Sequence, residues 1–278
     1  QANVMDRDAL LRAVSGVQAD AVIHALTSLK KTLMRHQGMY ATNALRDAGT
    51  TNLLAAARKV GARRFVAESM TLGYGYGNWG EQVLTENAPF APAGSSSQLE
   101  RHMAALRSLE RQIWEATRAG WIEGIALRYG YFYGPASLVP ILEALRHRSL
   151  PLPDGGRAVT SWIYLEDAAA ATVAALEQGR AGEAYNIVDD EPVRNQDFFS
   201  FLCQQAHLPK PFSLPGWMIH PIAPLATDFF STSMRVSNAK AVRELGWKPV
   251  LASTYRQGIH LALEVLDQQE RVSSEGKR

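Results

Sequence analysis

Four short apolar runs, DAVIHAL (20–26), RRFVAES (63–69), GIALRYG (124–130) and EAYNIVDD (183–190), are separated by segments whose apolar residues recur at helical spacing. Only a strand covered on both faces tolerates apolar residues at nearly every position, so the runs predict buried strands of a parallel sheet. Their alternation with helices makes the class α/β, a doubly wound sheet of the Rossmann-like kind. Asp6 is placed to cap the helix DRDALLRAV (6–14), Gly61 to stop the helix that begins near Ala41, and a long helix spans 97–117. SWIYLED leads from a strand into an alanine-rich helix that Asp167 is placed to cap.

Two stretches depart from this alternation. A Gly, Pro and Ser-rich excursion runs from Gly73 to Ser97 and predicts a loop over the strand ends. Beyond Gly134, PLPDGG (151–156) and LPKPFSLPG (208–216) predict the irregular loops of a smaller lobe, and helices are expected at 195–207, 238–245 and 254–271. The organisation expected is a core over 1–150, rejoined by 158–190, and a mainly helical substrate lobe over 191–278.

Charge narrows the partners. The 29 Lys and Arg nearly cancel the 27 Asp and Glu, and no basic run carries interleaved aromatics, so neither nucleic acid nor an anionic membrane is indicated. A small molecule is the expected partner. AAAATVAAL (168–176) is too short to span a bilayer, and the single cysteine, Cys203, reads as a buried small hydrophobe in a reducing, cytoplasmic setting.

In order, DAVIHALT, GTTNLLAAARKVGARRFVAES, LRYGYFYGP, SWIYLEDAAAA, YNIVDDEP and SNAKAVRELGWKP resemble the extended short-chain dehydrogenase/reductases, the NAD-dependent epimerase/dehydratases. The resemblance covers Asp6 to Gly258 and implies NAD or NADP. It begins after the family's third strand, so a preceding segment of roughly 55 residues, at about 30 per βα unit, would carry the Gly-rich pyrophosphate turn. Gly75, Gly77 and Gly80 do spell G-x-G-x-x-G, but EQVLTENAPFAP follows with two prolines and no helical period, so this is not that turn.

A second departure concerns catalysis. The family sets a Tyr and a Lys four residues apart on the long helix, on one face; the ammonium lowers the phenol pKa and orients the ribose. Aligning Glu110 with the acid that follows that pair puts His102 at the tyrosine and Leu106 at the lysine. A shift of one residue gives Met103 and Arg107, which restores neither. The helper hydroxyl falls on Met70, with Ser69 and Thr71 on either side.

The candidate catalytic residues are therefore Ser69, Thr71, His102 and Tyr131: His102 as the titratable replacement, the others as hydroxyls at strand ends where ligands gather. Each has a structural alternative, in satisfying backbone groups or in packing. The resemblance assigns Ala25, Leu26, Thr27, Asn43 and Phe132 to the cofactor cleft, although Asn43 stands further from Gly49 than in the family. It assigns Tyr133, Arg157 and Arg235 to the substrate, the two guanidinium groups as anion partners. His24, inside an apolar run, reads as a hydrogen-bonded core histidine, and no metal-ligand spacing is present.

The function expected is an NAD(P)-linked oxidoreductase, epimerase or dehydratase acting on a sugar nucleotide or small oxygenated metabolite with unusual catalytic residues. Two alternatives stay open: a non-catalytic dinucleotide or metabolite sensor, and a cofactor-independent isomerase or cyclase. The resemblance also implies a homodimer built on helices 43–60 and 97–117.

Overall fold

A computed structural model describes residues 1–29, 34–94 and 97–275. The first half runs α1 (Arg7–Ala13), β1 (Ala21–His24), α2 (Tyr40–Ala44), α3 (Thr50–Val60), β2 (Arg64–Met70), β3 (Asn78–Leu84), α4 (Gln98–Arg118) and β4 (Glu123–Tyr129). Next come β5 (Tyr131–Tyr133), α5 (Pro135–Arg146), β6 (Pro151–Pro153), β7 (Val159–Thr160), β8 (Trp162–Tyr164), α6 (Leu165–Gln178) and β9 (Ala184–Ile187). The chain ends with β10 (Val193–Arg194), α7 (Asn195–Gln205), β11 (Phe212–Leu214), α8 (Gly216–Ile219), α9 (Pro224–Ser231), β12 (Ser233–Val236), α10 (Ala239–Leu245) and α11 (Tyr255–Glu275).

The four predicted runs form one parallel sheet in the order β1-β2-β4-β9. On one face α3 and α4 bury Leu54, Ala57, Leu109 and Ile113 against Phe65 and Ala67. On the other, Ala168, Ala171 and Ala175 of α6 pack on Val66, Ile125 and Leu127, their short side chains letting the helix lie close to the strands. Helix α10 joins this second face through Ala241 and Leu245. A separate cluster under α5, α7 and α11 stacks Trp162 on Phe198 at 4.2 Å and forms the centre of the lobe.

Several caps match the sequence. The Asp6 carboxylate accepts from Ala9 N at 2.9 Å, Ser97 Oγ accepts from Glu100 N, and Gly61 closes α3 at φ 73°, where a side chain would be strained.

Four expectations are corrected. Strand β1 is buried on one side only: it is the sheet edge among the described residues, and Ile23 is 47 % exposed. Asp167 does not cap α6; its carboxylate accepts from the backbone N–H groups of Val250, Leu251 and Ala252, which ties the strand-to-helix corner to the chain before α11. The excursion after Gly73, whose Ser95 and Ser96 lie outside the described residues, contains strand β3, which pairs in parallel with β12. Gly80 sits inside that strand and opens no helix. Helix α5 was not expected, because its two prolines mask an apolar face: Pro135 stands in the first turn, and Leu138, Leu142 and Leu145 face the lobe core. No helix among the described residues is long and apolar enough to cross a membrane.

Candidate active site

A buried network fixes how α4 meets the sheet. Glu110 accepts from Ser69 Oγ at 2.7 Å and takes a two-pronged contact from Arg128, whose Nε and Nη2 lie 2.9 and 2.7 Å from its two oxygens. Arg128 also donates to Tyr74 Oη at 3.0 Å, and Tyr74 donates to Asn186 Oδ1 at 2.7 Å. Helix α4, β2, β4 and β9 are thus tied through one carboxylate. With Glu110 anchored, Leu106 and His102 lie one and two turns earlier on the same face, and both are 2 % exposed.

His102 ends in a directed hydrogen-bond chain. Asn43 Nδ2 lies 2.9 Å from His102 Nδ1, His102 Nε2 lies 3.0 Å from His36 Nδ1, and His36 Nε2 lies 3.3 Å from Asp228 Oδ2. With the Asn43 amide N–H donating at one end and the Asp228 carboxylate accepting at the other, the distances accommodate two neutral imidazoles with the proton on Nε2, each donating toward Asp228. Burial, then His36 and Arg46, lower the His102 pKa to about 4, which agrees with that assignment. Burial lowers His36 as well, although Asp228 opposes it. Asp228 belongs to α9 of the lobe, so the chain joins lobe and core.

The other predicted residues are distributed as follows. Ser69 is fully buried and donates to Glu110, and Thr71 is buried at the end of β2. Tyr131 donates to Phe229 O at 3.0 Å, and burial pushes its phenol well up. Tyr133 packs edge-on against Trp162 and Phe198 in the lobe core. Arg235 is held by Gly80 O and Glu81, while Arg157 is exposed in a separate groove with Asp154 and Gln196. Leu26 and Thr27 are exposed after β1, where Thr27 meets the Thr42 hydroxyl at 3.4 Å. Cys203 is buried, its thiol pushed up by desolvation. His24 is a core histidine, its Nε2 3.3 Å from Leu45 O.

Ala25 and Phe132 do come together. They line a cavity of about 210 Å³ between α6 and the C-terminal ends of β1, β2 and β4, with Tyr129, Leu165 and Glu68. Open α/β sheets collect ligands at such strand ends. Its volume falls below the roughly 300–1,000 Å³ of drug-sized pockets. Phe132 and Tyr129, with ring centroids 5.1 Å apart, supply flat apolar walls.

Glu68 is the one carboxylate in this lining, and the sequence reading passed over it. Burial raises its pKa, while Arg46 acts in the opposite direction. Arg46 is itself 4 % exposed and lies on a π-helical turn, Leu45–Gly49, that joins α2 to α3. The signals were present: a carboxylate inside the run RRFVAES, and a cation on the buried face of a helix.

A model of the NAD dependent epimerase/dehydratase family matches residues 1–188. The chain belongs to this family. It is 34 % identical over 271 residues to the 3-diazoavenalumate denitrifying reductase of a Streptomyces species, covering 93 % of this chain and 84 % of that protein. It is 25 % identical over 299 residues to the dTDP-glucose 4,6-dehydratase of Salmonella typhimurium, covering 95 % of this chain and 76 % of the relative. Among solved structures, UDP-glucose 4-epimerase of Thermotoga maritima with UDP-glucose superposes with a TM-score of 0.79 at 20 % identity, covering 97 % of this chain and 84 % of the other. The dTDP-glucose 4,6-dehydratase of Bacillus anthracis in complex with NAD gives 0.74 at 19 %, over 98 % and 80 %. Both share the fold.

The family's cofactor is a nicotinamide dinucleotide, and the flat apolar walls at the strand ends fit its ring. The cavity lining contains no cation to meet a pyrophosphate.

Proposed function

We propose that the protein is an NAD(P)-linked reductase of a small, electron-poor organic acceptor. The observation that carries this reading is the state of position 102. An epimerase or dehydratase of this family must first take a proton from a sugar hydroxyl, which calls for a base at that place. His102 has both ring nitrogens engaged by Asn43 and His36 and is held neutral, and Leu106 puts a buried alkyl group where an ammonium would stand. Position 102 therefore offers no base to a sugar hydroxyl, whereas hydride transfer to an electron-poor acceptor does not call on a base there.

In this reading Ala25 and Phe132 hold the nicotinamide ring, and Asn43 acts on the site through His102. When bound, the reduced ring supplies a hydride. The chain itself seats the ring against apolar walls. The Streptomyces relative is described by its name as a reductase that removes diazo nitrogen, and a diazo group is an electron-poor acceptor. Leu26 and Thr27 flank the cofactor side; Arg157, in its own groove, and Arg235, held by Gly80 O and Glu81, have no part in this reading. The proposal includes a cytoplasmic homodimer resting on α3 and α4, checked by sedimentation at micromolar concentration.

The test compares the two directions of hydride flow. NADPH and NADH are offered with a panel of quinone, diazo and enone acceptors, and NAD and NADP with UDP-glucose and dTDP-glucose. Oxidation of reduced nicotinamide by at least one acceptor is expected, with no reduction by either sugar nucleotide. Steady turnover of a sugar nucleotide would overturn the reading.

A further inference from the structure

Glu68 stands alone chemically in the cavity that receives the ring. Strand β1 contributes Ile23, α6 contributes Leu165, Ala168 and Thr172, and β4 contributes Leu127 and Tyr129. Among these, Tyr129 is the other titratable group. Its phenol is hydrogen-bonded to Thr172 Oγ1 at 2.7 Å and pushed up by burial, so it stays neutral at any working pH. The charged group acting on Glu68 is Arg46, itself under the influence of Tyr76. The carboxyl therefore lines an apolar cavity and feels the charge of one buried guanidinium.

We propose that Glu68 is the catalytic acid of this site, delivering to the acceptor the proton that the family draws from its tyrosine. The assignment rests on the reductase reading above. It follows from position: of the four candidate donors taken from the sequence, Ser69 is bonded to Glu110, Tyr131 to Phe229 O and His102 to His36, and Thr71 is buried outside the cavity lining, whereas Glu68, not among them, lines the cavity. A reduced nicotinamide, when bound, would supply a hydride to one atom of an acceptor double bond, with the π electron pair passing to the neighbouring atom. That atom would take the proton from the Glu68 carboxyl, leaving a carboxylate on which Arg46 acts and which solvent then reprotonates. One hydride and one proton add across the double bond, and the nicotinamide is oxidised. Burial favours the protonated carboxyl before the step, and Arg46 stabilises the carboxylate after it.

The experiment has a spectroscopic and a kinetic arm, both on the full chain. In the first, carbon-13 NMR follows the side-chain carboxyls through a pH titration, with Glu68 assigned by its loss in Glu68→Gln. A midpoint above the ordinary glutamate value, moved further by reduced nicotinamide mononucleotide, is expected. In the second, NADPH is oxidised by 9,10-phenanthrenequinone. Wild-type turnover should fall as pH rises through the Glu68 midpoint, and Glu68→Gln should lose about a hundredfold in kcat together with that limb. Glu68→Asp, which keeps an acid, should recover part of the rate. Full turnover with an unchanged pH profile in Glu68→Gln overturns the proton role and leaves the reductase reading standing. An ordinary midpoint that ignores the mononucleotide overturns the placement, even if Glu68→Gln fails to fold. No reductive turnover by wild type, with the mononucleotide still moving the Glu68 signal, overturns the reductase reading and the proton role with it.

Discussion

His102 and His36 stack 5.3 Å apart with their planes 22° from parallel, and the Nε2 of the first lies 3.0 Å from the Nδ1 of the second. Two neutral imidazoles joined in this way use each other's nitrogens and release none to a ligand. Through His36 and Asp228 the pair ties α4 to α9.

That joint predicts a coupled loss of stability. His36→Ala strands the buried Nε2–H of His102, and Asp228→Asn replaces the carboxylate acceptor by an amide. Each should cost about 1–3 kcal/mol in urea unfolding. The double variant should cost clearly less than the sum, because both changes break one chain.

Rebuilding the family's pair should not raise activity. Leu106 is 2 % exposed in the helix–sheet interface, so Leu106→Lys buries an ammonium with no carboxylate prepared for it. His102→Tyr with Leu106→Lys should lower stability by several kcal/mol. Thermal unfolding together with NADPH oxidation checks both parts, and a double variant as stable and more active than wild type would contradict this account.

Acid should unfold the protein partly through His24. Its folded pKa is held at about 4 by burial, against 6.5 when the chain is open. Between those values the unfolded chain binds the extra proton, so stability is complete above about pH 6.5, falls as pH drops through the window, and levels off below 4. This single group accounts for a loss on the order of 3 kcal/mol. His24→Gln should flatten the pH dependence of urea unfolding by that amount.

The Glu110 staple should be among the least replaceable features. Glu110→Ala leaves Arg128 buried without a counter-charge and Ser69 without its acceptor, at about 3–5 kcal/mol. Glu110→Gln keeps the shape and should cost less. Denaturant titration followed by near-ultraviolet circular dichroism reports both.

The strands were legible because apolar runs and cap residues act locally: Asp6 starts and Gly61 stops a helix through atoms within four residues. Glu110's place on the buried face of the long helix was likewise legible from period. What could not be read were meetings between distant segments. His36 and His102 are 66 positions apart. Asp228 reaches them from the lobe, and β3 finds its partner β12 across more than a hundred residues of intervening chain. Glu68 was hidden differently: its strand was recognised, but which face would open onto a cavity depends on where α6 lies.

The π-helical turn at Leu45–Gly49 carries a consequence for chain length. A turn of this kind holds one residue more than an α-helical turn, and here it lets Asn43 face His102 while Leu54 and Ala57 keep their seats on the sheet. Removing one residue, Ala48 for instance, would straighten the helix and rotate everything before it by about 100°. Asn43 and Arg46 would then swing away together, with no side chain of either altered. A single-codon deletion here would therefore part Asn43 from His102 without changing either residue.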